Sequence, residues 1–497
     1  MSDDARPVRV RAAPAPSGSL HVGNVRTFLY NWLHARHTGG QFVLRIEDTD
    51  TSRFTEQAYE AVLEDLRWLG LDWDEGPGIE GPHAPYRQSQ RTDLHVRAAE
   101  RLLESGAAYR CYCTKQELDE RRKQAMAERR RPGYDGRCRT LTPEQVAAFE
   151  AEGRRPTVRI RVPDEGDIVY EDLVIGRIAT QLEQIDDFAI LRSDGAPLYH
   201  LAVVVDDGLM QISRVIRGDD LLSNTPKQIL LHEALGNPVP SFGHLPQVLG
   251  PDRKPLGKRH GSTSIADFRE AGYLQDALVN FLALLGWGTA DDTILPREEL
   301  IARFEISDVH PSPAMFDTKK LDWMNGEYIR LLEDDDLTRR ALPFYVKAGL
   351  VEERPSEDEM DRVHAATPLI KTRIRRLDEA PGLVRGLFTR VEPDPETAGK
   401  VLSAGHVPAL FEATGERLEA VQPWTKEAVE STLREVAEEM GLKPRTAFGP
   451  FYVAISGSTV SAPVFDLMTL IGREECLERL RRGLELSRQL AGTATQP

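Results

Sequence analysis

A short loop near the N-terminus, Pro-Ser-Gly-Ser-Leu-His-Val-Gly-Asn at 16–24, ends in a histidine and a second glycine where an amphipathic segment begins. A glycine-containing turn feeding a helix suits phosphate. The first helical N–H groups lack intrahelical partners, and the positive end of the macrodipole favours an anion. His21 adds a ring N–H donor, and Gly23 keeps a Cβ out of the way of a bulky ligand. Alone, these four residues, His-Val-Gly-Asn, read equally well as a structural turn with a capping histidine.

A second cluster is Cys111 and Cys113 with Tyr134 and Cys138. Three thiolates and one N or O donor complete a tetrahedral zinc site. The spacing departs from Cys-x2-Cys, so a metal site and a set of reduced buried thiols both stay open. Cys476 is isolated and reads as a core or surface thiol, and no disulfide framework is suggested.

The elements that must carry these residues follow from periodicity. Residues 8–12 can extend. Val25, Phe28, Leu29, Trp32 and Leu33 then form a helical stripe, Thr-Gly-Gly (38–40) stops it, and 41–46 reads as a returning strand. That is a βαβ unit on a parallel sheet. Residues 197–220 look β-rich in the same way, and 90–195 read as an insertion between the two halves. From about 331 helical patterning dominates, with stripes at Ala428–Met440 and Leu477–Leu484; the acidic run Glu333–Asp336 marks a candidate boundary.

At 497 residues the chain should hold two to four domains. The net charge of −16 argues against a generic nucleic-acid binder but leaves local patches. One is a basic helix expected over 121–131, with Arg121, Arg122, Lys123, Arg129 and Arg130; another is Ile-Lys-Thr-Arg-Ile-Arg-Arg (370–376). Either alone could be a solvated face. No apolar run suits a membrane span, and Met-Ser-Asp-Asp-Ala-Arg-Pro lacks a secretory signal, so a cytoplasmic chain is expected.

The segment 11–24, Arg-Ala-Ala-Pro-Ala-Pro-Ser-Gly-Ser-Leu-His-Val-Gly-Asn, is followed by Arg-Ile-Glu-Asp-Thr-Asp (45–50). Together they resemble the first signature of the class I aminoacyl-tRNA synthetases, and the pairing is typical of the glutamyl and glutaminyl enzymes. Asn24 stands at the fourth signature position, where the glutamyl family commonly has a small polar residue. Asp-Arg-Lys-Pro-Leu-Gly-Lys-Arg-His-Gly (252–261) resembles the second signature, a mobile Lys-Leu-Ser-Lys-Arg loop. Pro255 replaces its first lysine and Gly257 its serine, Lys258 and Arg259 remain, and Lys254 stands one residue early. Residues 215–228 and 323–330 also resemble the family, so its motifs run from Arg11 to about Arg330.

The resemblance implies an α/β, Rossmann-like class I catalytic region over 1–330. Its halves are about 1–90 and 196–250, with an acceptor-binding insertion at 90–195 and a stem-contact part at 250–330. An all-helical anticodon-binding region in two subdomains would span 331–497. Glutaminyl enzymes end in β-barrels, so the helical tail favours the bacterial, non-truncated glutamyl type.

The implied reaction activates L-glutamate with ATP and Mg²⁺, then transfers it to the 3′ end of tRNA-Glu, with tRNA-Gln left open. His21, Gly23, Asn24, Lys254, Lys258 and Arg259 would serve ATP and the transition state. Arg11 and Arg217 would take carboxylates, Tyr199 would pack beside them, and Glu47 would meet the ammonium. Ala15 stands where relatives often carry a substrate-bonding serine, so that contact is lost or replaced. A subset of such enzymes binds zinc in this insertion; here Tyr134 is the fourth candidate ligand, since Thr140 stands where some carry a His. Arg373 aligns loosely with an anticodon-reading arginine, a surface salt bridge being the equal alternative. Monomer is the family habit. A retired tRNA-binding scaffold and a paralogue that glutamylates a tRNA-Asp base are the competing readings; the latter lacks a tail like this one.

Overall fold

The chain begins with the strand–helix–strand unit that the stripe implies: Arg9–Ala12 (β1), Val22–Thr38 (α1) and Gln41–Leu44 (β2). β1 and β2 run parallel, in register from Arg9 opposite Gln41 to Ala12 opposite Leu44. Val25, Phe28, Leu29, Trp32 and Leu33 are all buried. So are Arg26, Asn31 and His34, so the middle of α1 is enclosed on nearly every side.

This computed structural model describes residues 6–16, 18–49, 54–79, 81–129, 133–288 and 293–493. The chain continues through α2 (Glu56–Trp68), α3 (Thr92–Glu104), β3 (Ala108–Cys111), α4 (Lys115–Ala127), α5 (Pro143–Ala151) and β4 (Thr157–Ile160). Then come β5 (Asp167–Asp172), β6 (Gly176–Gln181), β7 (Ala189–Leu191), α6 (Tyr199–Leu209), β8 (Arg214–Gly218), α7 (Thr225–Leu235) and β9 (Ser241–Leu245). β10 (Val248–Leu249), α8 (Ile265–Glu270), α9 (Gln275–Ala283), α10 (Arg297–Arg303) and β11 (Ala314–Met315) follow.

β9 is parallel to both β8 and β5, and the order β6-β5-β9-β8 makes one sheet. Ser213 stitches β1 to the start of β8: its N–H donates to Arg9 O at 2.9 Å and its Oγ accepts from Arg9 N at 2.8 Å. One core joins Val43 of β2, Leu102 of α3, Ile160 of β4, Leu201 and Val204 of α6, and Val215 and Phe242 of β8 and β9.

Two expectations need correction here. Residues 197–220 are not β-rich throughout, because Tyr199–Leu209 is helical and only Arg214–Gly218 is a strand. Leu201 to Asp207 are all buried. A helix enclosed on every side has no polar face, so its unbroken apolar run looks like a buried strand. The basic helix is Lys115–Ala127, starting and ending earlier than 121–131, and Arg129 beyond it adopts φ 55°.

The chain divides into two compact units, 1–268 with 278–317, and 269–277 with 318–497. α11 (Thr318–Leu331) therefore groups with the helical unit, ahead of the acidic run. That run supplies the first turn of α12 (Asp334–Lys347), where carboxylates oppose the helix dipole. Helices α13 (Glu357–Lys371), α14 (Ala380–Phe388), α15 (Pro395–Val401), α16 (Val407–Ala420), α17 (Lys426–Glu439), α18 (Pro444–Ser456), α19 (Val464–Ile471) and α20 (Arg473–Thr493) follow. Tyr345, Ile370, Phe411, Leu433, Phe451 and Leu480 share their core. Cys476 is buried there, its thiol donating to Met468 O at 3.2 Å, and burial pushes its pKa up to about 12. Among the described residues, no helix is long and apolar enough to cross a membrane.

Candidate active site

His21 caps α1 in extended geometry (φ −77°, ψ 139°), and its Nδ1 accepts the Gly23 N–H at 3.1 Å. The remaining first-turn N–H groups are also taken. Val22 N donates to Thr263 O, and Asn24 N and Val25 N donate to His21 O. This corrects the idea that free backbone N–H groups await a phosphate. With Nδ1 committed as acceptor, a neutral imidazole carries its proton on Nε2. Burial lowers the His21 pKa, which favours that neutral form. What the helix start offers an anion is thus the ring N–H and the dipole. Gly23 serves this cap directly, since a Cβ there would lie 3.3 Å from His21 Nδ1.

His21, Gly23 and Asn24 line a cleft of about 500 Å³ together with Arg11, Ala15, Glu47, Tyr199 and Arg217. Segments apart in sequence thus bring the expected glutamate residues together with His21, Gly23 and Asn24, whereas Lys254 and Arg259 are not among the described lining residues. Asn24 and Ala15 are exposed at its surface, and Tyr199 is 39% exposed at the start of α6.

The charges beneath the cleft are interlocked. Arg45, fully buried, donates to Asp207 at 2.6 Å and to Glu47 at 3.0 Å, while Arg11 Nε meets the same Asp207 oxygen at 3.3 Å. Burial would raise Asp207, but Arg45 and Arg11 overrule it and hold the pKa at about 2. Burial raises the pKa of Glu47, against the pull of Arg45 and Arg11. Arg11, Arg45 and Arg217 face Glu47 and Asp207, and Arg26, Asp219 and Asp220 also line the cleft, so the formal charges of these groups cancel.

Arg217, like Arg26, lines the cleft with no ion-pair partner among the described residues. Arg217 is 4% exposed. Its Nη1 donates to Gln228 at 2.7 Å, Nη2 to Thr225 at 2.7 Å, and Nε to His244 Nε2 at 3.2 Å. Three of five guanidinium protons are used, so each terminal nitrogen keeps one free. A buried guanidinium held by neutral groups beside a cavity can pair with an anion entering it. Arg45, Thr225 and Gln228 fall within quoted motifs but were given no role from sequence, and Asp207 and His244 were not picked out at all.

Residues 248–265 close the other side. Leu256 N donates to Val248 O, Gly250 N to Lys254 O, and residues 20–22 pair with 263–265 through Val22 N to Thr263 O and Ile265 N to Leu20 O. The basic turn is therefore anchored at the His21 segment, and Pro255 and Leu256 line the cleft. His260 packs against Gly250, where a Cβ would lie 2.7 Å from its ring. Arg259 is exposed and reaches Asp252 at 3.4 Å; Lys254 is exposed. Lys258 starts a 3-10 turn, and its side chain lies outside the described residues.

Within residues 90–195, the Sγ atoms of Cys111, Cys113 and Cys138 lie within 4.8 Å of one another. Cys113 and Cys138 are 3.7 Å apart, near the roughly 3.8 Å edge of a zinc tetrathiolate with 2.3 Å bonds. Tyr134 Oη lies 3.3 Å from Cys111 Sγ and 4.0 Å from Cys113 Sγ. Hydrogen bonds from Cys113 and Cys138 pull Cys111 toward the thiolate. On α4, Arg122 and Lys123 are exposed, Arg121 pairs with Asp135, Arg129 is exposed past the helix end, and Arg130 lies outside the described residues. Arg373 is exposed after α13.

A family profile described as "tRNA synthetases class I (E and Q), catalytic domain" matches residues 7–323, and one described as "Anticodon binding domain" matches 336–484. A glutamate–tRNA ligase from Symbiobacterium thermophilum is 48% identical over 479 residues, 95% of this chain and 99% of the relative. One from Moorella thermoacetica is 46% identical, over 97% of this chain and 99% of its own length. The crystal structure of a glutamate tRNA ligase from Elizabethkingia meningosepticum, in complex with its amino acid, superposes with TM-score 0.85 at 31% identity. That match covers 97% of this chain and 99% of the other.

Proposed function

Because this chain belongs to the class I tRNA synthetases for glutamate and glutamine, we infer from its own residues how the cleft performs the family's two-step chemistry. The chain is a glutamate–tRNA ligase. A glutamate α-carboxylate oxygen attacks the α-phosphorus of ATP, and pyrophosphate leaves with the electron pair of the broken P–O bond. A terminal ribose hydroxyl of tRNA then attacks the acyl carbon and AMP departs. Mg²⁺ bound with ATP supplies neutralisation of phosphate charge.

The cleft lining supports the following roles for its residues, and the family chemistry suggests those of the basic turn. Arg217, with Arg11, holds the side-chain carboxylate, and Glu47 holds the ammonium. His21 donates Nε2–H to the phosphates, with Asn24 beside it. Lys254, Lys258 and Arg259 meet the leaving pyrophosphate, where charge grows in the transition state. Positioning and electrostatics carry the catalysis; no side chain is a covalent nucleophile. The observation that carries this reading is the buried Arg217, with its two free N–H groups and no anion of its own.

Within 90–195, Cys111, Cys113, Cys138 and Tyr134 would hold a structural Zn²⁺, which would tie the end of β3 to 134–138. The exposed Arg122, Lys123 and Arg129, with Arg121 and Arg130 near them, meet acceptor-end phosphates. Arg373 meets the anticodon. The enzyme works as a monomer in the cytoplasm.

The test is ATP–pyrophosphate exchange with glutamate and with glutamine, each with and without tRNA, followed by charging of tRNA-Glu and tRNA-Gln side by side. Exchange with glutamate and charging of tRNA-Glu are expected. Exchange with glutamine at a comparable rate would overturn the role of Arg217. Equal charging of tRNA-Gln would make the enzyme non-discriminating.

A further inference from the structure

His244 and Asp172 lie outside every motif that drew attention in the sequence, yet both side chains are fully buried directly behind Arg217. Asp172 ends β5, at the one register point where that strand pairs with β9, opposite Phe242. Its carboxylate faces donors only. Oδ1 accepts N–H groups from Val174 and Ile175 at 3.0 Å and from His244 at 3.1 Å, and Oδ2 lies 2.6 Å from His244 Nδ1. An acceptor-only carboxylate requires that Nδ1 carry the imidazole proton.

Nε2 is then a lone pair, and two donors converge on it: Arg217 Nε–H at 3.2 Å and Thr225 Oγ1 at 3.0 Å. Thr225 in turn accepts from Arg217 Nη2 at 2.7 Å. The guanidinium is thus gripped along one edge by an imidazole whose tautomer is fixed from behind. We propose that Asp172 and His244 are positioning residues for the substrate carboxylate, acting through Arg217 by holding His244 in the Nδ1–H tautomer. The controlling carboxylate belongs to the 90–195 segment inserted between the two halves of the catalytic region. This proposal rests on the role given to Arg217 above.

Asp172→Asn is informative because it changes one atom. The least costly arrangement keeps the amide oxygen on the three backbone N–H groups and turns the amide NH₂ toward His244 Nδ1. The imidazole must then protonate Nε2, which sets a donor against Arg217 Nε–H. One lost charge-assisted hydrogen bond corresponds to a rise of roughly 10- to 100-fold in KM for glutamate. KM for ATP and for tRNA should stay within about threefold, an order-of-magnitude allowance. His244→Gln, which can place an amide oxygen near the Nε2 position, should recover most of the glutamate affinity; His244→Leu should not.

The wild-type enzyme supplies a readout that needs no variant to fold. Selective ¹⁵N-histidine labelling, with the His244 signal assigned by its loss in His244→Gln, reports the tautomer at pH 7. The Nδ1–H form is expected. An Nε2–H form, or equal glutamate KM in His244→Gln and His244→Leu, overturns the positioning role. If the tautomer is as stated while Arg217→Lys leaves glutamate KM unchanged, the role assigned to Arg217 fails instead.

Discussion

Replacing Arg217 by lysine keeps the charge and removes the fork. The guanidinium spends three protons on Gln228, Thr225 and His244 and keeps two for substrate. Lysine has three protons on one flexible nitrogen and cannot hold three neutral partners and a carboxylate together. Hydrogen bonds to charged groups contribute about 1.5–3 kcal/mol each, so losing one substrate bond costs roughly 10- to 100-fold in kcat/KM for glutamate. Arg217→Gln loses both bonds and the positive charge, for about 10²- to 10⁴-fold by the same reasoning. The assay is ATP–pyrophosphate exchange in saturating tRNA, with glutamate and ATP varied separately. The loss should appear in KM for glutamate, while KM for ATP stays near wild type. Glutamate KM values for both variants within twofold of wild type would refute the assignment of Arg217 to the substrate carboxylate.

Four further outcomes follow from the same geometry. Lys258→Ala should lower the activation rate by about 10² or more with tRNA affinity nearly unchanged, as for a contact made in the transition state; pre-steady-state activation and filter binding check the two halves. Glu47 must be ionised to hold the ammonium, and burial raises its pKa, so glutamate KM should climb on the acid side at a pH above the ordinary glutamate range; a flat KM down to pH 4.5 would remove Glu47 from the site. Asp207→Asn should destabilise the catalytic unit by about 3–5 kcal/mol, because it leaves Arg45 buried without its closest anion. The wild-type contribution of Asp207 is full above the ordinary Asp pKa of 3.8 and is lost as pH falls through about 2, which urea titrations at several pH values would follow. Elemental analysis should give about one zinc per chain, and chelation should loosen the insertion to proteolysis while glutamate binding persists, since a structural site of this kind lies apart from the cleft; well under one zinc retires the metal.

Local patterning made the first βαβ unit legible. A stripe at helical spacing, a Thr-Gly-Gly stop and a short extended run on either side each point the same way, and β1, α1 and β2 follow them. The cysteine set was legible because residue type and spacing limit the chemistry, and the three thiols do converge. The strand-like reading of 197–209 failed for a physical reason. Val203, Val204 and Val205 are β-branched and α6 is buried on every face, so neither propensity nor periodicity marks it as a helix.

The free N–H groups expected at the start of α1 failed for another reason. Their partners include Thr263 O, contributed by a turn some 240 residues away in sequence. The same distance hides the support of Arg217. Asp172, Thr225, Gln228 and His244 are brought behind it by β5, α7 and β9, and nothing local to any of them signals the meeting. Motifs marked the surface of the cleft, whereas the groups that set its charge and geometry come from non-local pairing.

The most direct measurement is a crystal structure of the enzyme with a non-hydrolysable glutamyl-adenylate analogue, in which only the side-chain carboxylate remains free. That carboxylate should lie against Arg217 and Arg11, the ammonium against Glu47, and the phosphate mimic within hydrogen-bond distance of His21 Nε2. An analogue bound with its carboxylate turned away from Arg217, or seated outside this cleft, would contradict the account.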